Sequence, residues 1–384
     1  MYLIKNVEIN NMVEDKVFVA DVLIHDGKIQ RIEENIEADA KVIDGKGKKL
    51  FPGFIDAHTH LGLRETGIGF EGDDVNELSN PLTPELKAID GINPLDKTFD
   101  EAREAGITCV SSGPGSANVI GGQFAIIKTH GRRVDDMIVN PSHAMKIAFG
   151  ENPKRVYKGL GISPQTRLAV AAELRNILTK AKMYLEKIEA AAGNLDKMPA
   201  YDNKLEALLP VLKKEIPLKA HAHRADDIFT AIRIAKEFDL KLTLDHCSEG
   251  HMIVEELVEE GYDAIVGPTF GHKTKFETKN KTFTTPGILQ RAGLRVAIMT
   301  DHPVIPVHYL PIMAGLCAKA GMDRFEALKA ITINPAEILG IEDRVGTIEV
   351  GKDADLVMMD GHPFELDAKV KMTFVDGHIA YTAD

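Results

Sequence analysis

The stretch FPGFIDAHTHLG, residues 51–62, joins an apolar run to two histidines one residue apart. In an extended strand, side chains two residues apart point the same way, so His58 and His60 can converge on one point where the run ends. Imidazole is a common ligand for zinc and similar ions, which makes the pair one corner of a candidate metal site. Alone, the pair fits a chance spacing as well as it fits a metal. The rest of the chain has to decide between them.

Seven more β-rich runs follow the first, GFIDAH (53–58): ITCVSS (107–112), QFAIIKT (123–129), AMKIAF (144–149), LKAHAH (218–223), KLTLDH (241–246), DAIVGP (263–268) and RVAIMT (295–300). Most are separated by helical patterns such as DDIFTAIRIAKEF (226–238) and MIVEELVEEG (252–261). Eight buried strands with helical crossovers predict an α/β fold, a (β/α)8 TIM barrel over 51–345, with functional groups where strands end and loops begin. Residues 1–50 and 346–384 contain short runs broken at Gly and Asp-Gly, and the two ends are expected to pair into one small β domain. A helical insertion near 160–215 opens at Ser163-Pro164, and its stripe of Leu174, Ile177, Leu178, Ala181, Leu185 and Ile188 reads as packing, with a lid or dimer contact as the sharper alternative.

The formal net charge of -12 repels nucleic acid and anionic membranes, so a small-molecule substrate is expected and those partners are not. Cys109, Cys247 and Cys317 are odd in number and form no CxxC pair, which points to a reduced, cytoplasmic setting. MYLIKNVEIN (1–10) alternates like a strand instead of presenting a basic head and an apolar block. No apolar run approaches the ~20 residues that span a bilayer. A homo-oligomer is left open.

Other strand ends supply His221 and His223 in LKAHAH, His246 in LTLDH and Asp301 in IMTDHP. Each singly could cap a backbone; four strand ends aimed at one mouth point to a metal centre. Lys146, inside AMKIAF, would be costly to bury as an ammonium. It either snorkels to the rim or captures carbon dioxide as a neutral amine, giving a carbamate that bridges two metals. Glu151 is a rival bridge.

PGFIDAHTH, HAH, LDH, TDHP and the closing NPAEILGIEDRVGTIEVGKDADLV resemble the metal-dependent amidohydrolase superfamily, in particular its imidazolonepropionase-like and Xaa-Pro dipeptidase-like branch. The resemblance covers almost the whole chain. It implies a (β/α)8 barrel with a β-sandwich annex and one or two divalent ions; histidine, carboxylate and carbamate would accept zinc, the first expectation, or manganese, iron or nickel. His58, His60 and His221 would bind one ion, and Asp301 would touch it and act as the base. His246 would bind a second ion or orient substrate, and Lys146 would be the carbamylated bridge. Deaminases and imidazolonepropionases of this superfamily place a glutamate three positions after the fifth-strand histidine. Arg224 holds that position if His221 is the ligand, whereas Asp226 holds it if His223 is.

The resulting expectation is a hydrolase that cleaves a C–N bond, in an amide, cyclic amide or dipeptide-like substrate, by attack of metal-bound hydroxide with Asp301 as general base. A mononuclear deaminase or imidazolonepropionase-type hydrolase is the alternative, and a non-catalytic binding protein on the same fold is a third. His223, Arg224, His272 and His302 are the expected substrate contacts, and His143, His251 and His308 are further histidines placed near the mouth. Lys154 and Arg155, with Arg224, could pair with a substrate carboxylate or with solvent-exposed acids. The glycine-rich segment 111–123 lacks phosphate-loop spacing and is read as a flexible active-site loop. Cys247 is expected to alternate into packing.

Overall fold

The computed structural model describes residues 1–67 and 69–383. Among these described residues, sixteen strands divide between two sheets. The first five are β1 (Tyr2–Asn10), β2 (Val17–His25), β3 (Lys28–Glu33), β4 (Lys41–Asp44) and β5 (Lys49–Pro52). They join β14 (Leu356–Met359), β15 (Val370–Val375) and β16 (His378–Thr382) in the order β16-β15-β14-β5-β1-β2-β3, with β4 on β1. Alternation in these strands buries Ile4, Val22, Leu50, Leu356 and Phe374 in a core of their own.

The second sheet is the barrel. It contains β6 (Phe54–Thr59), β7 (Ile107–Ser112), β8 (Ile120–Lys128), β9 (Ile138–Ala148), β10 (Leu218–Ala222), β11 (Leu242–His246), β12 (Ala264–Val266) and β13 (Val296–Ile298), hydrogen-bonded in chain order. These are the eight runs expected from the sequence. One feature departs from a uniform (β/α)8 pattern: β8 runs antiparallel to both β7 and β9. No helix separates β7 from β8, so the chain returns by a loop, and a reversed direction is what a short return allows.

The seam between β6 and β13 closes by individual bonds. Asp301 N–H donates to the His58 carbonyl at 3.2 Å, and His60 N–H donates to the His302 carbonyl at 2.9 Å. Asp56 accepts from Thr300 N–H at 3.1 Å, from Thr300 Oγ1 at 2.6 Å and from His58 N–H at 3.1 Å. The two strands that carry His58 and Asp301 are thereby tied at the site itself.

Between β9 and β10 lie helices Glu151–Gly159, Arg167–Ala191 and Asn203–Leu212. The Thr166 hydroxyl caps the long helix by accepting from Ala169 N–H at 3.1 Å. Its apolar stripe packs Leu174, Ile177, Leu178 and Ala181 into the core that lines β9 to β12. Among the described residues no helix is long and apolar enough to cross a membrane.

Candidate functional site: a histidine-lined barrel mouth

Strand ends deliver the functional side chains in two groups. His58, His60 and Asp301 offer ligand atoms within 4.8 Å of one another, and so do His221, His223 and His246. The groups adjoin, with the His58 and His246 rings 5.5 Å apart. The resemblance to the superfamily attaches His221 to His58 and His60; the geometry groups it with His223 and His246, 4.1 Å from the His246 ring. Both histidines of LKAHAH therefore reach the mouth.

The backbone is strained where it aims these groups. His246, Cys247 and Asp301 have φ of 73°, 48° and 54°, a left-handed conformation that costs a non-glycine residue energy. An extended strand cannot turn two successive side chains inward. The break at His246 allows both Asp245 and His246 to face the interior, and sends Cys247 into packing, where burial pushes its thiol up to about 12.

Hydrogen bonds fix which ring nitrogen faces the site. His60 Nδ1 donates to the Gly113 carbonyl at 2.6 Å and His246 Nδ1 to the Gly267 carbonyl at 2.8 Å. His58 Nδ1 bonds Asp245. Each then turns its Nε2 inward. Burial pushes His58, His221, His223 and His246 well below the usual histidine range, so they are neutral near pH 7, as ligands must be. Burial works to raise Asp301, but the hydrogen bond and attraction from His60, 3.2 Å away, outweigh it and hold the carboxyl low.

Lys146 lies between the groups. Its side chain is fully buried, its Nζ is 2.8 Å from His58 Nε2, and burial pushes the ammonium down to about 8. Phe124 forms the floor, 5.3 Å from Lys146 Nζ and 5.1 Å from the His58 ring. Gly113 is required above it, since a Cβ there would lie 2.2 Å from Phe124. The segment 113–119 is largely buried and tied down through Asn118, which donates to the carbonyls of Glu77 and Asn80. Its place at the mouth fits the expectation; a freely moving loop does not fit this bonding.

The remaining expected contacts divide. His302 is buried at the mouth; its Nδ1 accepts from Val307 N–H at 3.2 Å, which leaves an Nε2–H donor with no partner among the described residues. Arg224 is committed to Asp226 by two bonds of 2.9 Å, and His272 is exposed on the loop after β12. His143 does not reach the mouth: it bonds Ser111 Oγ at 2.7 Å and lines a cleft at the opposite end of the barrel with Asn140 and Thr243. His251 bonds Thr285 at 2.9 Å, and His308 pairs with Glu101 at 3.3 Å.

Sequence reasoning missed Glu277. It is 1% exposed, its Oε1 is 3.7 Å from His221 Nε2 and 3.9 Å from His223 Nε2, and that oxygen has no hydrogen-bond partner among the described residues. Its Oε2 accepts from Glu151 N–H at 2.8 Å, which engages Glu151 with this loop. Gly150 makes room, since a Cβ there would approach Glu277 Oε2 to 2.7 Å. Nothing in the polar run KTKFETKN (273–280) marks one acid as buried.

The chain is a member of the amidohydrolase family, whose family model matches residues 50–380. A solved amidohydrolase from Thermotoga maritima MSB8 is 43% identical, with a TM-score of 0.97 and full coverage of both chains. An amidohydrolase of Hapsidospora irregularis is 28% identical over 94% of this chain, which spans 40% of that protein's length. An imidazolonepropionase of Symbiobacterium thermophilum is 26% identical over 84% of this chain and 77% of its own.

The donor set fits a divalent ion. Two histidines with a carboxylate, and three histidines, are ligand sets for zinc and its neighbours. Two buried ring nitrogens, His221 Nδ1 and His246 Nε2, have no protein partner among the described residues, as ligands awaiting an ion would not.

Proposed function

We propose that the chain is a metal-dependent hydrolase of C–N bonds, acting on an amide, cyclic amide or dipeptide-like small molecule. The observation that carries this reading is the pair of adjoining ligand groups with Lys146 between them. His58, His60 and Asp301 would hold one ion. His221 and His246 would hold a second, with Lys146 as a carbamate bridging the two. A bound divalent cation lowers the pKa of water and polarises a carbonyl.

The chain's own groups then have distinct tasks. Asp301, kept ionised beside His60, accepts the proton of the attacking water and passes it to the leaving nitrogen. His302 directs its free Nε2–H toward the carbonyl oxygen of the substrate. Burial lowers Lys146 to about 8, so near neutral pH more of it is free of its proton than of an ordinary lysine, and the neutral amine is the form that adds carbon dioxide. We also read residues 1–50 with 346–384 as a β-sandwich annex to the 51–345 barrel, and the protein as a cytoplasmic enzyme without nucleic-acid or membrane partners.

One observation favours a second reading. Glu277 brings a carboxylate to the fifth-strand histidines from another loop, where Arg224 leaves the shuttle position empty of acid. A one-ion deaminase or imidazolonepropionase-type hydrolase would use such a group. The zinc-loaded chain, with bicarbonate present, should release amine from a panel of N-acyl amino acids, dipeptides and cyclic amides, and lose that activity on chelation. Release of ammonia from aminated heterocycles alone would favour the second reading, and inactivity across both panels would contradict both.

A further inference from the structure

Below the mouth, two charged side chains that the reading above leaves unused meet inside the barrel. Lys219 and Asp245 are 1% and 0% exposed. Lys219 Nζ is 2.8 Å from Asp245 Oδ2 and donates to the Ala57 carbonyl at 2.9 Å. The same Oδ2 bonds His58 Nδ1, and Thr243 Oγ1 donates to the other oxygen at 2.9 Å. One carboxylate is thus shared between an ammonium and an imidazole, and every oxygen is occupied.

Lys219 and Lys146 face each other in register on β10 and β9, yet their surroundings differ. Lys146 has no salt bridge among the described residues, whereas Lys219 is held by a carboxylate and a carbonyl. Two buried lysines of one barrel layer therefore do different things. The first is left available, and the second is a fixed counter-charge.

We propose that Lys219 and Asp245 are a positioning pair for the ion site of His58, His60 and Asp301. Asp245 accepts the Nδ1–H of His58 and so holds the tautomer and ring plane that turn the Nε2 lone pair toward the ion. Lys219 balances the buried carboxylate and, through the Ala57 carbonyl, anchors β6 one residue before His58. Carboxylates behind metal-binding histidines act this way, and their loss weakens metal affinity roughly 10- to 100-fold. This rests on the metal reading of the site.

The test is zinc binding to metal-free chain, measured by competition with a chromophoric chelator, for wild type, Asp245→Asn, Lys219→Met and the double variant. Both single variants should lose roughly 10- to 100-fold in affinity for one ion. The double variant removes both charges together, so it should regain thermal stability relative to Lys219→Met without regaining affinity. Affinity that follows stability back to the wild-type value would overturn the proposal in favour of a structural role. So would an Asp245→Asn chain that binds zinc like wild type. If the variants fail to fold, long-range 1H–15N spectra of histidine-labelled, metal-free wild type decide: an Nδ1–H His58 supports the proposal and an Nε2–H His58 overturns it. A wild type that takes up no zinc would instead remove the metal reading, and this proposal with it.

Discussion

Lys128 at the end of β8 and Lys146 in β9 are both buried in the same barrel, on neighbouring strands, and they are solved in opposite ways. Lys128 faces the seam with the first sheet, where Asp353, Asp355 and Asp376 lie 3.1, 2.8 and 3.0 Å from its Nζ. Burial alone would lower its ammonium, but the charges of Asp355 and Asp376 outweigh that and hold it above the usual lysine range. Lys146 faces the mouth, where burial wins and the value falls to about 8. A buried lysine with acids around it is a fastener. A buried lysine that forms no salt bridge among the described residues is left free for the bridging role proposed above.

The comparison breaks first at Asp301. Replacing Asp301 with Asn should lower turnover roughly 10²- to 10⁴-fold, the range for loss of a general base, while elemental analysis finds the other histidine-held ion retained. At the seam the cost should fall on the fold instead. Lys128→Met leaves the buried Asp355 without a cation, while Asp353 keeps Lys28 and Arg344, and should destabilise by about 3–5 kcal/mol in denaturant titrations, with the metal content of the folded fraction unchanged.

Lys146→Met sharpens the contrast, because its sign is opposite. The folded lysine is lowered from 10.5 to about 8, so below pH 8 the folded chain carries the buried charge at a cost, and above pH 8 it releases the proton. The unfolded chain binds more protons between pH 8 and 10.5, so wild-type stability rises with pH across that window. In metal-free, carbon dioxide-free buffer the methionine variant should be more stable than wild type at pH 7, by about 3 kcal/mol, with the gap closing toward pH 10.5. A gap that does not change with pH would show that Lys146 is not held down by burial. The smallest effect belongs to a residue remote from both lysines: Thr166→Ala removes a helix cap and should cost about 1 kcal/mol in thermal melts, with no effect on metal content.

The eight barrel runs could be read from apolar strands and the helical patterns between most of them, and the ligand histidines from their place at strand ends. The direction of β8 could not, because apolar content is the same in either direction. Lys219 was within reach of the sequence: in LKAHAH it lies two residues before His221 and shares its inward face. Asp245 was hidden by the same rule, since strict alternation puts it opposite His246, and the left-handed turn that brings both inward is a tertiary strain. Glu277 was hidden more deeply. It sits in a polar loop without periodicity, and only the fold brings it to His221.

The most direct test of the account is the number of ions per chain after zinc loading with bicarbonate, compared between wild type and Lys146→Met by elemental analysis. Two ions in wild type and one in the variant are the expected values. A wild type that saturates at one ion, or a variant that still holds two, would contradict a site bridged through Lys146.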